Sequence, residues 1–149
     1  MVHDEEHPSD QTTIIVTLHV STEYWLDTLL CKRIGVTEVE LDLFDFTYAK
    51  KLNILFKLGV LPQPIFANLK LLNVLRNRFV HQLDYVLGGN PDDFSFISHT
   101  DNFTSYRRIS ALPITERRPL MWWRDALVSI IRATIDPLEK YCIEVRGFH

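Results

Sequence analysis

The stretch LLNVLRNRFVH, residues 71–81, decides the fold class that this sequence predicts. Apolar residues within and around it recur at the spacing of one helical face: Ile65, Leu69, Leu72, Phe79 and Leu83. On a helical wheel all five fall within about 60° of Arg76, so this arginine is predicted to lie in the middle of a buried stripe. A fixed charge at such a position is rare unless it has a partner or a function.

A ladder of polar side chains accompanies the stripe along one edge. Asn73, Asn77 and His81 follow one another at intervals of four residues, which places them on one side of a helix. Asp84 comes three residues after His81 and is predicted to lie on the same edge, where it would hold the imidazole and raise its pKa. The stretch therefore predicts a helix that combines a core face with a candidate reactive edge, on which Asn73 and Asp84 are expected to support His81.

These residue types suit the cleavage of RNA, which carries its own nucleophile in the 2′-hydroxyl. His81 can deprotonate that hydroxyl or protonate the leaving 5′-oxygen, and Arg76 can stabilise charge on the phosphate. Asn77 can orient the phosphate or the ribose, so neither a metal ion nor a cofactor is required. Because cleavage needs an acid and a base, a two-fold dimer would have to bring two sets together. The alternative is a core helix with a snorkelling arginine and a locally bonded histidine.

Length and composition predict one soluble domain. The chain of 149 residues is long enough to bury a core, and residues 1–11 read as a disordered acidic tail before a single domain, 12–149. No apolar stretch has membrane-spanning length, and the acidic start is unlike a secretory signal, so we expect a cytoplasmic chain. Cys31 and Cys142 lie among apolar helical residues and are expected to be buried free thiols.

Arginines are concentrated in the second half of the chain, although the net charge is −3. The residues that we expect to contact phosphate or RNA are Arg78, Arg107, Arg108, Arg117 and Arg118. Arg78 and Tyr85 are predicted to point from the central helix towards solvent. The alternative for each arginine is an ordinary surface ion pair. No helix-turn-helix with a basic recognition helix is evident, so sequence-specific reading of DNA is not expected.

Apolar periodicity and chain breakers predict about four main helices. They span residues 12–33, 47–58, 64–86 and 114–146, the last kinked or split at Pro137. Residues 39–43 alternate with period two and are predicted to form an extended connector, because no second alternating run offers a partner. Residues 88–113 form a long connection whose aromatic side chains predict packing onto the domain. Helices that are long relative to their connections predict an all-α bundle.

Residues 76–81, RNRFVH, resemble the signature of the HEPN superfamily, in which four to six residues separate an arginine from a histidine. A polar residue often follows that arginine. Residues 40–85 are similar to HEPN-like proteins related to the mannitol operon repressor (MltR-like). The resemblance implies a compact helical bundle that dimerises through the motif helix. In catalytic members it implies a metal-independent endoribonuclease of toxin–antitoxin or defence systems, with Arg76 and His81 catalytic and Asn77 assisting.

One departure from the family pattern concerns the partner. Toxins that pair with nucleotidyltransferase antitoxins often carry a tyrosine two residues after the histidine, whereas this chain has Leu83 there and its nearest tyrosine is Tyr85. A protein antitoxin or regulatory partner is therefore an open expectation. Two non-catalytic hypotheses stay open as well: an MltR-like transcriptional or regulatory protein on the same fold, and a generic helical interaction module.

Overall fold

The computed structural model describes residues 8–42, 45–99, 106–108 and 122–145. These residues are mainly helical, as the apolar periodicity predicts. The helices are α1 (Pro8–Ile34), α2 (Glu38–Asp42), α3 (Tyr48–Lys57), α4 (Gln63–His81), α5 (Trp122–Ala133) and α6 (Ile135–Lys140). The other described elements are a 3-10 turn (Pro91–Phe94), strands β1 (Ile97–His99) and β2 (Tyr106–Arg108), and a π-helical turn (Tyr141–Val145).

Helix α1 begins at Pro8, inside the segment predicted to be a disordered tail. Gln11, which the sequence assigns to that tail, is buried, and its Oε1 accepts a hydrogen bond of 2.8 Å from the Leu87 N–H. The glutamine satisfies a buried backbone donor, which ties this end of α1 to the segment that follows α4. The first helix therefore begins before its predicted start at residue 12, and residues 1–7 lie outside the described residues.

Residues 39–43, in which apolar and polar side chains alternate, were predicted to form an extended connector. This prediction is wrong, because Glu38–Asp42 forms α2. Thr37 and Glu40 make a reciprocal capping box at its start. The Glu40 N–H donates to Thr37 Oγ1 at 3.2 Å, and the Thr37 N–H donates to Glu40 Oε1 at 3.0 Å. Threonine and glutamate three residues apart are the sequence signature of such a start, and the apolar alternation obscured it. Residues 43–44 lie outside the described residues.

The second predicted helix is confirmed as α3. Thr47 caps it, since the threonine side chain accepts a hydrogen bond of 3.2 Å from the Lys50 N–H. Gly59 follows the helix with a φ of +73°, a left-handed conformation that glycine adopts without the penalty of a Cβ atom. Pro64 lies in the first turn of α4, where a missing N–H leaves no helical bond unmade.

Helix α4 ends at His81, short of its predicted end at residue 86. Asp84 then has a φ of 63°, and the chain folds back towards the helix. Tyr85 is buried against Phe79, with ring centroids 5.0 Å apart, and its hydroxyl donates to Asp93 Oδ2. The prediction that Tyr85 faces solvent is therefore wrong, because contacts with later residues replace the last turns of the helix.

The last predicted helix is split into α5 and α6, with Thr134 between them. Pro137 explains the break, since it has no N–H to give to the Ala133 carbonyl, its partner four residues earlier in a helix. Asn68 of α4 supplies the missing donor, because its Nδ2 donates to the Ala133 oxygen at 2.9 Å. A buried amide of α4 thus satisfies the carbonyl that the proline leaves free. Residues 114–121 lie outside the described residues.

The predicted connection at residues 88–113 contains the 3-10 turn and an antiparallel pair of strands. Ile97 pairs with Arg108, and His99 pairs with Tyr106. Phe96, just before β1, is fully buried, as the aromatic content of this segment predicts. Strand β1 packs against α4 and α5. Residues 100–105 and 109–121 lie outside the described residues.

Helix α1 is the central element of the described bundle, since it packs against α3, α4 and α6, and α3 also packs against α4. The fully buried aliphatic residues at these contacts include Ile15, Leu26, Leu30, Leu55, Leu69, Leu72 and Leu75. Each such leucine stabilises the fold by about 1.5–3 kcal/mol relative to an exposed position. Cys31 is half-buried and Cys142 is buried, and both are free thiols. None of the described helices is long and apolar enough to cross a bilayer.

Candidate functional site

Helices α1 and α4 lie side by side and run in opposite directions. Gln11, near the start of α1, bonds to Leu87 beyond the end of α4. His19, two turns further along α1, bonds to Asn73 in the middle of α4. The order of these contacts is reversed between the two helices, so the pair is antiparallel. This pairing places the polar ladder of α4 beside α1.

The two helices present their exposed edges on one side of the domain. Each helix can be viewed along its axis from its own N-terminus. In both views the buried residues, the residue at the α1–α4 contact and the exposed residues follow one another in the same direction of rotation. Because the helices are antiparallel, the same rotational sense carries both exposed edges to the same side. We call this surface the outward face; it consists of Val20 and Tyr24 from α1 with Asn73, Arg76, Asn77 and His81 from α4.

Arg76 lies at the edge of the buried stripe, not in its middle as predicted. Asn68 and Leu75 are buried as well, which rotates the buried face of α4 away from Arg76. Leu83, predicted to belong to the stripe, is 94% exposed because the helix ends before it. Arg76 is half-buried, and its Nη1 donates to Asn77 Oδ1 at 3.1 Å. Its Nε–H is covered and has no hydrogen-bond partner among the described residues.

His19 is a member of the site that the sequence did not single out. It is buried, and its Nε2 lies 2.9 Å from Asn73 Oδ1. Its ring stacks on Tyr48 with centroids 3.9 Å apart, and the Tyr48 hydroxyl lies 2.8 Å from the Thr22 hydroxyl. A histidine on an otherwise apolar face of α1 was the signal available in the sequence, since a buried imidazole needs a polar partner.

The protonation of His19 follows from this position. Burial, the largest effect, lowers the pKa of the imidazole below its ordinary value of 6.5. The hydrogen bond with Asn73 opposes that shift, and the charge of Arg76 adds to it. An amide oxygen can only accept, so Nε2 carries the proton that is donated to Asn73.

His81 and Asn77 are exposed, one helical turn apart. His81 also follows Arg76 by five residues, so the two side chains diverge by about 140° around the axis of α4. His81 lines an open depression of about 490 Å³ with Thr12, Thr13 and residues 79–84. The prediction that Asp84 shares a helical edge with His81 is wrong, because α4 ends at His81. No hydrogen bond or ion pair joins these two side chains, both of which are described.

Arg78 is not the solvent-facing arginine that the helical wheel predicts. Its Nη1 donates to Asp92 Oδ1 at 2.8 Å and to Asp93 Oδ1 at 2.7 Å, and only 19% of its side chain is exposed. The hydrogen bond with Asp92 is the main reason that the pKa of Arg78 is raised, and it lowers the pKa of Asp92. The guanidinium is thus neutralised within its own chain, and a role in binding phosphate stays a prediction.

The remaining arginines predicted to contact RNA are placed only in part. Arg107 and Arg108 belong to β2, whose backbone is described but whose side chains are not. Arg117 and Arg118 lie outside the described residues. The structure brings Asn73, Arg76, Asn77 and His81 to one surface, and the other four arginines stay predictions for that surface.

A buried ion cluster lies next to the His19 stack, between α1 and α3. Lys51 Nζ lies 2.8 Å from Glu23 Oε2 and 2.6 Å from Asp27 Oδ1, and the lysine is buried. One lysine is shared by two carboxylates, so the cluster joins α1 to α3 and its lysine is not free to bind a ligand. Within the described residues, no group of three or more His, Cys, Asp or Glu side chains is placed to hold a metal ion.

Comparison with models of protein families, with curated proteins and with solved structures finds no match to this chain. The resemblance of residues 40–85 to HEPN-like proteins therefore stays a prediction from the residues themselves. The arrangement on the outward face is the physical basis for any functional argument. Its polar groups on α4 are one exposed imidazole, one half-buried guanidinium and two amides.

Proposed function

We propose that this chain is a metal-independent endoribonuclease of the HEPN type that acts as a homodimer on RNA. The observation that carries the proposal is the arrangement at the end of α4. His81 is exposed one turn after Asn77, and the oxygen of Asn77 accepts a hydrogen bond from Arg76. The resemblance of residues 76–81 to the HEPN signature supports the same conclusion.

Each side chain has a role that fits its surroundings. His81 is exposed and can exchange protons with a bound ribose 2′-hydroxyl or a leaving 5′-oxygen. Arg76 can stabilise the charge that develops on the phosphate, since a half-buried guanidinium acts in a medium less polar than water. Asn77 can donate its amide N–H groups to a phosphate oxygen, because its own oxygen already accepts from Arg76.

The proposed dimer follows from the single imidazole on this face. In-line cleavage needs a base and an acid on opposite sides of the scissile bond, and Arg76 and His81 diverge on their own helix. A two-fold axis beside α4 would bring a second Arg-Asn-His set to the same substrate. Such a dimer would also cover apolar side chains that are exposed on the outward face. Val20 is 59% exposed and Tyr24 is 57% exposed.

The same apolar side chains favour a second candidate function. A non-catalytic, MltR-like regulatory or protein-interaction module would use Val20, Tyr24 and Val80 to bind a protein partner. A protein antitoxin would be such a partner if the chain is a toxin. In this alternative the polar residues of α4 would contribute to an interface and not to chemistry.

The test is cleavage of a mixed RNA pool in EDTA by the wild type, His81→Ala and Arg76→Ala. The proposal expects cleavage by the wild type alone, with 2′,3′-cyclic phosphate ends, and a mass in light scattering of two chains. Arg132→Ala is the matched control, since this exposed arginine of α5 should leave cleavage unchanged. Absence of cleavage by the wild type, or equal cleavage by all variants, would favour the non-catalytic candidate.

A further inference from the structure

The amides of Asn73 and Asn77 are both oriented by donors from their own chain. Asn73 Oδ1 accepts from His19 Nε2 at 2.9 Å, and Asn77 Oδ1 accepts from Arg76 Nη1 at 3.1 Å. An asparagine side chain has one oxygen and one NH₂ group on the same carbon, so a fixed oxygen also fixes the direction of the NH₂ group. The two amides are one turn apart on α4, so both NH₂ groups are available along one edge of the helix.

The donors on this edge lack acceptors. No described residue accepts a hydrogen bond from Asn73 Nδ2 or Asn77 Nδ2, and the covered Nε–H of Arg76 is also without a partner. The NH₂ groups of Asn73 and Asn77 can therefore donate to a ligand that supplies acceptor oxygens. Glu23 is the nearby carboxylate on α1, and its Oε2 forms an ion pair of 2.8 Å with Lys51 Nζ. A set of several hydrogen-bond donors suits an anion that has several acceptor oxygens.

We propose that His19 is a positioning residue, which orients the amide of Asn73 so that Asn73, Asn77 and Arg76 together bind one RNA phosphodiester. This inference rests on the proposed function and deepens it by assigning the phosphate subsite. His19 is buried, so it acts through Asn73 and does not touch the RNA. Asn73 thereby becomes a phosphate-binding residue instead of a support for His81.

The surroundings of His19 hold it in the form that this role needs. Tyr48 of α3 stacks on the ring, Asn73 and Arg76 face it from α4, and Glu23 is the acidic group nearby on α1. An imidazole that is neutral has one donor nitrogen and one acceptor nitrogen. Because Nε2 donates to the Asn73 oxygen, the Asn73 NH₂ group is turned away from His19. The stack on Tyr48 packs one face of the imidazole ring.

The experiment compares two substitutions of His19 that keep or remove the donor. His19→Gln retains an amide N–H near the position of Nε2, whereas His19→Phe retains the stack on Tyr48 but has no donor. Binding of a 2′-O-methyl RNA dinucleotide, which cannot be cleaved, is measured by NMR from the ¹⁵N side-chain resonances of Asn73 and Asn77. We expect His19→Phe to weaken binding about tenfold or more, and His19→Gln to stay within about threefold of the wild type.

A second substitution keeps the test decisive if His19→Phe does not fold. Asn73→Asp has nearly the same shape and retains an oxygen for His19 Nε2, but it replaces the NH₂ donors with negative charge. We expect binding to weaken by more than about tenfold, because the NH₂ donors are lost and the carboxylate repels the phosphate. Urea unfolding of each variant establishes that the binding assay is made on folded protein.

The outcomes separate this inference from the proposed function. Wild-type binding with shifts at both asparagines, lost in His19→Phe and retained in His19→Gln, supports the positioning role even if no RNA is cleaved. Cleavage without this binding pattern would leave the nuclease and overturn the positioning role. Equal binding by all variants, equal loss in both His19 variants, or no binding by the wild type would also overturn it.

Discussion

Two arginines of α4, two residues apart in sequence, lie in opposite environments. Arg78 pairs with Asp92 and Asp93, and its side chain is mostly covered. Arg76 donates to one neutral amide, Asn77, and its covered Nε–H has no partner among the described residues. Residues of one type on one helix thus belong to two regions with different roles. We call the first region the Asp93 cluster (Arg78, Tyr85, Asp92 and Asp93), and the second is the outward face.

The two regions differ in how completely their polar groups are satisfied. Asp93 is fully buried and accepts from Arg78, from the Tyr85 hydroxyl and from the N–H groups of Gly88 and Asn90. Burial is the main reason that the pKa of Tyr85 is raised to about 12, which keeps its hydroxyl a donor. A satisfied cluster stabilises the turn after α4, whereas the outward face retains donors for a ligand.

The largest effect is expected from Asp93→Ala, which breaks the Asp93 cluster at its centre. The substitution leaves the Tyr85 hydroxyl and two backbone N–H groups without their acceptor, so we expect the free energy of unfolding to fall by about 3–5 kcal/mol. Urea unfolding measures it. A loss below about 1 kcal/mol would show that the turn after α4 does not depend on this carboxylate.

The comparison of Arg78→Leu with Arg76→Leu sharpens the contrast directly. Arg78→Leu leaves a buried carboxylate without its cation and should lower the free energy of unfolding by about 3 kcal/mol. Arg76→Leu should change it by less than about 0.5 kcal/mol, since it removes a covered donor without a partner. For RNA cleavage the order should reverse, with kcat about 10²–10³ lower in Arg76→Leu and nearly unchanged in Arg78→Leu. The same order in both assays would contradict the division into two regions.

An intermediate effect is expected from pH, through His19. Its folded-state pKa is lowered below 6.5, so the unfolded chain binds more protons in the window just below that pH. The stability that neutral His19 maintains is therefore present above pH 6.5 and is lost as the pH falls through the lowered folded-state pKa. Over this window the free energy of unfolding should fall by at most about 1.4 kcal/mol per pH unit.

The measurement for His19 is urea unfolding of the wild type and His19→Phe between about pH 7.5 and about pH 5. Subtracting the two curves removes the titration of the carboxylates that both proteins share. The wild type should lose more stability than His19→Phe as the pH falls. Parallel curves would mean that burial does not shift the pKa of this imidazole.

The smallest effect is expected from Asp92→Ala in the Asp93 cluster. Asp92 also binds Arg78, at 2.8 Å, but its side chain is 53% exposed. Exposed ion pairs contribute less than about 1 kcal/mol, so urea unfolding should detect little change. The difference from Asp93→Ala measures what burial adds to the same kind of contact. Equal losses for Asp92→Ala and Asp93→Ala would show that burial is not the decisive difference.

Part of this arrangement was predictable from neighbouring residues alone. The apolar periodicity and the chain breakers identified α3 and the start of α4. The polar ladder placed Asn73, Asn77 and His81 on one edge, because helical spacing depends only on residues within a turn or two. The wheel erred for Arg76 because Asn68 and Leu75 are buried as well, which moves the centre of the buried face of α4 away from Arg76.

Other features depended on contacts between residues far apart in the chain. Helix α4 ends where Asp93 binds Arg78 and Tyr85. The helix propensities of residues 82–86 do not indicate this contact. The same contact converted Arg78 from a predicted surface residue into an ion-pair partner. The short helix α2 was missed for a local reason, since the Thr37–Glu40 capping box was present in the sequence.

The sequence by itself determined that this protein is helical, where α3 lies, and that one helix carries an arginine, two asparagines and a histidine. Those properties follow from the spacing of side chains along a single segment. Only the tertiary structure decided that His19, 54 residues away, bonds to Asn73, and that one arginine is neutralised while the other retains free donors. The physical reason is that burial and hydrogen-bond partners are set by which elements meet in space, and spacing along one helix does not specify its neighbours.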